Sequence, residues 1–300
     1  MPNVSRRDFL RGSAALGAAA FAGSILSEGL RAAPSKGPAD IRFGLVTYQW
    51  GKDWDLPTLL RNCEQAKVLG VELRTSHAHG VEPSLSDPQR REVKKRFADS
   101  PVKLVSLGSA QDFHDPDPKK VEQSIEITKG FIKLGRDVGS SGVKVRPNAL
   151  PKGVPQEKTT EQIGKALNVL GAFGADFGQQ IRLEVHGGCA RLPIIKQIMD
   201  VATHPNVGIC WNSNASDLEA PGLESNFNLV KTRLGATTHV RLLDAKDYPY
   251  EQLLVLFLKA NYHGWWLLEA GGKPPEDRVK ALAEQRAVFE QILAKARAEV

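Results

Sequence analysis

Residues 181–211 read IRLEVHGGCARLPIIKQIMDVATHPNVGICW. A short β-rich run (181–185) leads through a helical stretch (192–202) into a second β-rich run (207–211). Apolar residues of the middle segment recur near a period of 3.6. This strand–helix–strand unit repeats outward in both directions. Strands are predicted at 41–47, 70–74, 103–107 and 142–146 before it, and at 238–242 and 265–269 after it. Helices are predicted over about 56–69, 87–98, 118–138, 159–177, 223–234, 249–259 and 276–296. Such alternation calls for parallel strands joined by right-handed crossovers. Eight units favour closure over an open doubly wound sheet, so the expected fold class is α/β, a single (β/α)8 TIM barrel over 41–300. No Gly-x-Gly-x-x-Gly follows the first strand, and no nucleotide cofactor is expected.

Composition agrees with one globular body. Apolar residues make up 41% of the 300 and charged residues 25%, enough for a sizeable core. The net charge is +6. Residues 1–33 hold Arg6, Arg7, Arg11 and Arg31 against Asp8 and Glu28, leaving 36 basic and 32 acidic residues, +4, in the body. With no basic run or stripe, nucleic acid is not an expected partner. Cys63, Cys189 and Cys210 have neither the spacing of a disulfide framework nor that of a zinc site, and read as small buried residues.

The start of the chain has a separate meaning. Ser5-Arg6-Arg7-Asp8-Phe9-Leu10 has the twin-arginine export pattern, and the Ala/Gly-rich stretch from Ser13 to Leu26 is too short and weakly apolar for a stable membrane span. Residues 1–33 are read as a targeting segment, with cleavage expected near Ala32 or Ala33, and 34–40 as a linker. The mature protein is expected in the periplasm or another extracytoplasmic space, with no membrane span and with its oligomeric state open.

In a barrel of this kind working residues sit where strands end, and alternate strand residues face inward. The interior is normally aliphatic, so inward charge needs a reason. The second strand carries Glu72 and Arg74 on one face and leads to His77 and His79. The third leads to His114, and the fourth carries Lys144 and Arg146. The fifth carries Arg182, Glu184 and His186. The sixth ends Trp211-Asn212-Ser213-Asn214, the seventh holds His239 and Arg241, and the eighth ends at Glu269. Glu72 with Arg74, or Lys144 with a carboxylate, also reads as a plain internal ion pair. Polar groups at six or more strand ends describe a wet, charged pocket; Trp50 and Trp211, at strand ends, read either as core residues or as platforms for a sugar face.

Gly70-Val71-Glu72-Leu73, Leu183-Glu184-Val185-His186-Gly187, Val207-Gly208-Ile209-Cys210-Trp211-Asn212, His239-Val240-Arg241-Leu242-Leu243-Asp244 and Leu267-Leu268-Glu269 together resemble the xylose-isomerase-like barrel superfamily of sugar and sugar-phosphate isomerases and epimerases, over about residues 41–297. The resemblance implies a divalent metal held by Glu, Asp, His and Glu on strands five to eight, with the two glutamates moving a proton at the substrate carbon. By position Glu184 and Glu269 match, Asn212 stands for the Asp, and Arg241 stands for the His. A guanidinium offers no lone pair. Two arrangements are therefore open: a metal (Mn, Mg, Co or Zn) on Glu184, Asn212, His239 and Glu269, or Arg241 itself as the cation between Glu184 and Glu269.

The function expected from the resemblance is an isomerase or epimerase acting on a small carbohydrate, with Glu184 and Glu269 catalytic. The substrate would be contacted by Glu72, Arg74, His79, His114, Lys144, Arg146, His186, Trp211, Asn214 and Arg241. The alternatives are a lyase acting on 3-keto-glycosides with the same pair, and a non-catalytic sugar-binding barrel. A nuclease is disfavoured because the sixth and seventh strands lack the ligands a metal cluster needs.

Overall fold

The computed structural model describes residues 37–300. The expected leader and the first residues of the linker lie outside the described residues. Eight strands, β1 (Asp40–Val46), β2 (Gly70–Arg74), β3 (Lys103–Asp112), β4 (Gly142–Arg146), β5 (Gln180–Glu184), β6 (Val207–Asn212), β7 (Leu234–Val240) and β8 (His263–Leu268), close into one barrel in chain order. Every neighbouring pair is parallel, including β8 with β1. Between them run α1 (Leu56–Gln65), α2 (Asp87–Ala98), α3 (Pro118–Val138), α4 (Gln156–Asp176), α5 (Leu192–Val201), α6 (Leu223–Val230), α7 (Tyr250–Lys259) and α8 (Arg278–Ala298). The expected single (β/α)8 barrel is the observed one.

Local chemistry sets the helix ends. Asp55 caps α1 by accepting from the Thr58 amide, Asp117 caps α3 at the Lys119 amide, and Asp277 caps α8 at the Lys280 amide. Gly139, at φ 88°, stops α3 in the left-handed conformation. The apolar helix faces pack on the outward strand residues, where Trp211, Trp266, Phe227 and Phe257 form a ring cluster. All three cysteines are buried and free.

β8 runs over His263–Leu268 rather than 265–269, which leaves Glu269 just past its end, and two strands depart further, both with a bearing on the site. β3 runs to Asp112 rather than ending at 107, through an irregularity after Gly108, and pairs there with Arg146. β7 begins at Leu234 and ends at Val240, whereas 238–242 was expected. Gly235 and Ala236 carry no β-branched signal, so the start of the strand is invisible to propensity. At the other end the chain leaves the sheet because the Arg241 amide donates to the Tyr250 hydroxyl and the Leu243 amide to Gln285.

The barrel interior is unusually polar. Glu72, Ser106, Lys144, Arg182, Glu184 and His239 are all buried in it. Toward the N-terminal end of the strands Arg182 donates to Gln180, the Val105 carbonyl and Ser141. The acidic cluster lies above, where the strands end.

Candidate active site

The cluster centres on Glu184, the last residue of β5, which is 1% exposed. Its Oε2 accepts from Lys144 Nζ at 2.6 Å, and its Oε1 accepts from the Asn212 amide at 3.0 Å. His239 Nδ1 lies 3.3 Å from Glu184 Oε1 and 3.4 Å from Glu269 Oε2, so both carboxylates meet at one imidazole nitrogen. On the far side of the ring, Nε2 lies 3.2 Å from Glu72 Oε1. β4, β5, β6 and β7 each bring one residue to one point, Glu269 directly after β8 brings a fifth, and β2 supplies Glu72 beneath.

Burial opposes every charge here, and the neighbours overcome it. Glu184 would be neutralised by desolvation, but Lys144 and His239 hold its carboxyl well below the usual range. Desolvation also works against Glu72, which His239 and Lys144 keep ionised. Lys144 is held protonated against burial by Glu184, Glu72 and Glu269. His239, likewise desolvated, is raised well above its ordinary value by Cys210, Glu72 and Glu269.

Above the cluster opens a cavity of about 300 Å³. Its wall contains Lys144, Glu184, Asn212 and Glu269 with Tyr48, Arg74, Arg146, His186, Ser213, Asn214, Arg241 and Gly271. Arg74 lies over the Tyr48 ring at 4.7 Å. Arg146 donates to the Ala110 carbonyl at 2.7 Å and stands 3.8 Å from Asp112. Burial lowers the pKa of His186, favouring the neutral ring, and its Nδ1 has no hydrogen-bond partner. The Asn214 amide donates to the Val185 and Asn212 carbonyls, tying the ends of β5 and β6 together.

Residues 60–292 match the family described as the xylose isomerase-like TIM barrel. The chain belongs to the xylose isomerase-like TIM barrel family. Residues 3–23 match the twin-arginine translocation pathway signal sequence, which supports export by that route. Among the described residues no helix is long and apolar enough to cross a membrane. No curated protein sequence matches the chain. Solved structures of the same fold include 3-keto-D-glucoside 4-epimerase, YcjR, from E. coli, at a TM-score of 0.69 and 14% identity, covering 84% of this chain and 100% of that one. D-psicose 3-epimerase with D-tagatose from Clostridium cellulolyticum H10 aligns at a TM-score of 0.70 and 14% identity, over 84% and 99%. The IOLI protein with a bound zinc atom aligns at 0.67 and 16%, over 86% and 99%.

The donor set of this xylose isomerase-like barrel suits a divalent cation. One ligand atom from each of Glu184, His239 and Glu269 lies within 4.8 Å of the others, and the Asn212 amide sits on the same oxygen of Glu184. Beneath them, the Glu72 oxygens and His239 Nε2 are buried with no hydrogen bond in line, although they are neighbours. A neutral His239 with its proton on Nε2 toward Glu72 and its lone pair on Nδ1 answers this arrangement, since ligating histidines usually give their other N–H to a carboxylate. Charge points the same way. Three carboxylates against Lys144 and protonated His239 leave formal −1, whereas a divalent ion with neutral His239 brings the cluster to zero. Glu72→Gln is therefore expected to weaken binding of a divalent ion by about 10–100-fold, measured by titration with zinc or manganese.

Several expected site residues stand elsewhere. Arg241 was placed where the family has its His, but β7 ends two residues earlier than read and His239 takes that place. Arg241 instead pairs with Asp247 at 2.8 Å on the cavity rim, so it is not the cation between Glu184 and Glu269; Lys144 holds Glu184. Trp211 faces outward, fully buried against Phe227 and Phe257 with its indole nitrogen on Tyr248, and cannot stack on a ligand. Glu72 is wholly buried below His239 and is not a substrate contact. His79 is a loop brace: its ring joins the Arg74 carbonyl and the Val81 amide. His114 sits 3.1 Å from Asp112, outside the cavity wall. Ser213 lines the cavity from the end of β6, as its strand-end position suggests, and Tyr48 and Gly271 join the wall without having been expected there. Tyr48 follows β1 directly, and only the rule that strand ends supply the pocket could have flagged it.

Next to the rim, buried Asp217 accepts from the Tyr248 hydroxyl at 2.6 Å and the Asn214 amide at 3.0 Å. Burial pushes its carboxyl up to about 7 despite those bonds. A group whose folded pKa exceeds the unfolded value contributes stability at acid pH that is lost as pH rises through the folded pKa. Asp217→Asn removes that titration. It is expected to flatten the fall in stability between about pH 4 and pH 7 by up to ~1.4 kcal/mol per pH unit, read from urea midpoints across that range.

Proposed function

We propose that this protein is an exported carbohydrate epimerase or isomerase that moves a proton at a carbon next to a sugar carbonyl. The carrying observation is that Glu184 and Glu269 converge on His239 Nδ1, at 3.3 and 3.4 Å, at the floor of a cavity walled by cations. A carbon–hydrogen bond next to a carbonyl is acidic enough for carboxylate catalysis once the developing oxyanion is stabilised.

In this reading Glu184, kept ionised by Lys144, takes the proton from the substrate carbon and afterwards gives it up to solvent. Glu269, the more open carboxylate, takes a proton from solvent and delivers it to the other face of that carbon, which inverts the centre; delivery to the carbonyl carbon instead moves the carbonyl. Lys144 Nζ keeps Glu184 in its place and its charge state, and its position in the cavity wall lets it donate to a developing oxyanion. His186, Asn214 and Arg241 orient hydroxyl groups from the rim. A divalent ion (Mn, Mg, Co or Zn) on Glu184, His239, Glu269 and the Asn212 amide oxygen would act as a Lewis acid on the carbonyl. His239 serves it only as the neutral ring, so Glu72 supports the site by fixing the proton on Nε2.

The names of two barrels of the same fold, 3-keto-D-glucoside 4-epimerase and D-psicose 3-epimerase, both describe inversion at a carbon next to a ketone. A 2-ketose or a 3-keto sugar is therefore the class to try first, in the periplasm or another extracytoplasmic space to which the leader points. The test is incubation of the metal-loaded protein with such sugars in D2O, followed by proton NMR. Loss of the C–H signal next to the ketone, with appearance of the epimer, is expected. A sugar that binds without exchanging any such proton would overturn the enzymatic reading in favour of a binding barrel.

A further inference from the structure

The cavity wall carries one cation more than its acids answer. Lys144 is paired with Glu184 at 2.6 Å and Arg241 with Asp247 at 2.8 Å. Arg146 has Asp112 at 3.8 Å and spends one Nη2 hydrogen on the Ala110 carbonyl, while its Nε is buried without a partner. Arg74 has no carboxylate partner among the described residues; its guanidinium lies over the Tyr48 ring and the residue lines the cavity. β3 separates these two arginines, and its in-register partner of Arg74 is Gly108, which is also the partner of Lys144. A Cβ at Gly108 would come within 2.8 Å of Glu72 Oε1, so the Glu72 carboxylate fills the space before this position and β3 sends no side chain from it between Arg74 and Lys144. Ala110 beyond it is small as well.

We infer that the substrate is an acidic sugar whose carboxylate sits over β3 between Arg74 and Arg146. This rests on the proposed sugar chemistry of the same cavity and names its substrate class. The charge count selects the anion. With the cluster neutral when a divalent ion is bound, the surplus is the single charge of Arg74, which a carboxylate cancels and a phosphate dianion exceeds. A planar guanidinium also meets a carboxylate with two parallel N–H donors. The stacking on Tyr48 holds Arg74 in place before the ligand arrives.

The test uses the metal-loaded protein and three matched probes: a 2-ketohexose, its 6-carboxylate and its 6-phosphate. Affinity is measured by calorimetry at low salt, and turnover by the deuterium exchange described above. The carboxylate is expected to bind at least about tenfold more tightly than the neutral sugar and more tightly than the phosphate. Arg74→Gln should collapse the carboxylate-to-neutral ratio to near unity, with Arg74→Lys retaining part of it; if Arg74→Gln does not fold, Arg146→Gln reads the same ratio. Equal affinity for acid and neutral sugar, a preference that survives Arg74→Gln, or tighter binding of the phosphate each overturns the inference. The two readings fail separately. Acid-selective binding with no proton exchange removes the enzymatic function and keeps the carboxylate site, whereas fast exchange on the neutral sugar alone does the reverse.

Discussion

The Glu184→Gln protein is expected to fold and to exchange the proton next to a sugar carbonyl about 10²–10⁴-fold more slowly than the parent. The substitution keeps the side chain's shape and leaves one acceptor oxygen for Lys144, while the new NH2 group faces Asn212, whose amide can turn its own oxygen to accept from it. It removes the carboxylate that would carry the proton. Stability should suffer little, because the change improves the charge balance of the cluster: two carboxylates, Glu72 and Glu269, then face Lys144 and protonated His239. Circular dichroism and urea midpoints check the fold, and the exchange rate at saturating metal separates a lost proton carrier from a lost ligand. Turnover at the parental rate would remove Glu184 from the chemistry.

Replacing Lys144 by methionine is expected to have the larger effect on the fold. Lys144 is 3% exposed and directly bonded to a Glu184 that is 1% exposed. Removing one partner of a buried pair leaves an uncompensated charge and typically costs about 3–5 kcal/mol. Here it leaves three carboxylates against His239 alone. The pH dependence should change sign. In the parent, Glu184 is held well below its usual range by Lys144 and His239 despite burial, so it contributes stability above the unfolded carboxyl pKa that is lost as pH falls. Without Lys144, desolvation dominates and the neutral carboxyl is favoured, so the variant gains stability as pH falls toward the acid range. The deficit relative to the parent should be widest near neutral pH and narrow toward pH 5, measured by urea unfolding. Adding Glu184→Gln to Lys144→Met should recover much of the loss, since the pair is then absent rather than broken.

Much of this site was legible in the chain. Glu184, Lys144 and Glu269 stood out because each is a charged residue in or just after an apolar strand, at inward spacing near the end where barrels work. Asn212 was placed with them by the family resemblance, as the residue standing for the Asp. Arg241 was misplaced because β7 starts in Leu234-Gly235-Ala236, a run with little strand propensity; reading its end two residues late moved the expected histidine position onto an arginine. Trp211 failed for a different reason. It is adjacent to Asn212, and on a strand adjacent residues face opposite ways; once Asn212 faces Glu184, Trp211 must join the outer ring cluster. His79 and His114 lie in loops, where no period tells whether a ring turns to the cavity or braces its own backbone.

The amino-acid sequence by itself determined the eightfold alternation, the closed barrel, the export leader and the charged residues at the strand ends. All of these rest on periods of 2.0 and 3.6 and on short motifs, which are local. Only the tertiary structure decided which inward residues share a level: His239 rather than Arg241 between the glutamates, Glu72 beneath the imidazole, Lys144 on Glu184 and Arg74 left without an acid. Height in a barrel depends on how each strand is staggered against its neighbours through hydrogen bonds between segments distant in the chain, and no local pattern carries that stagger.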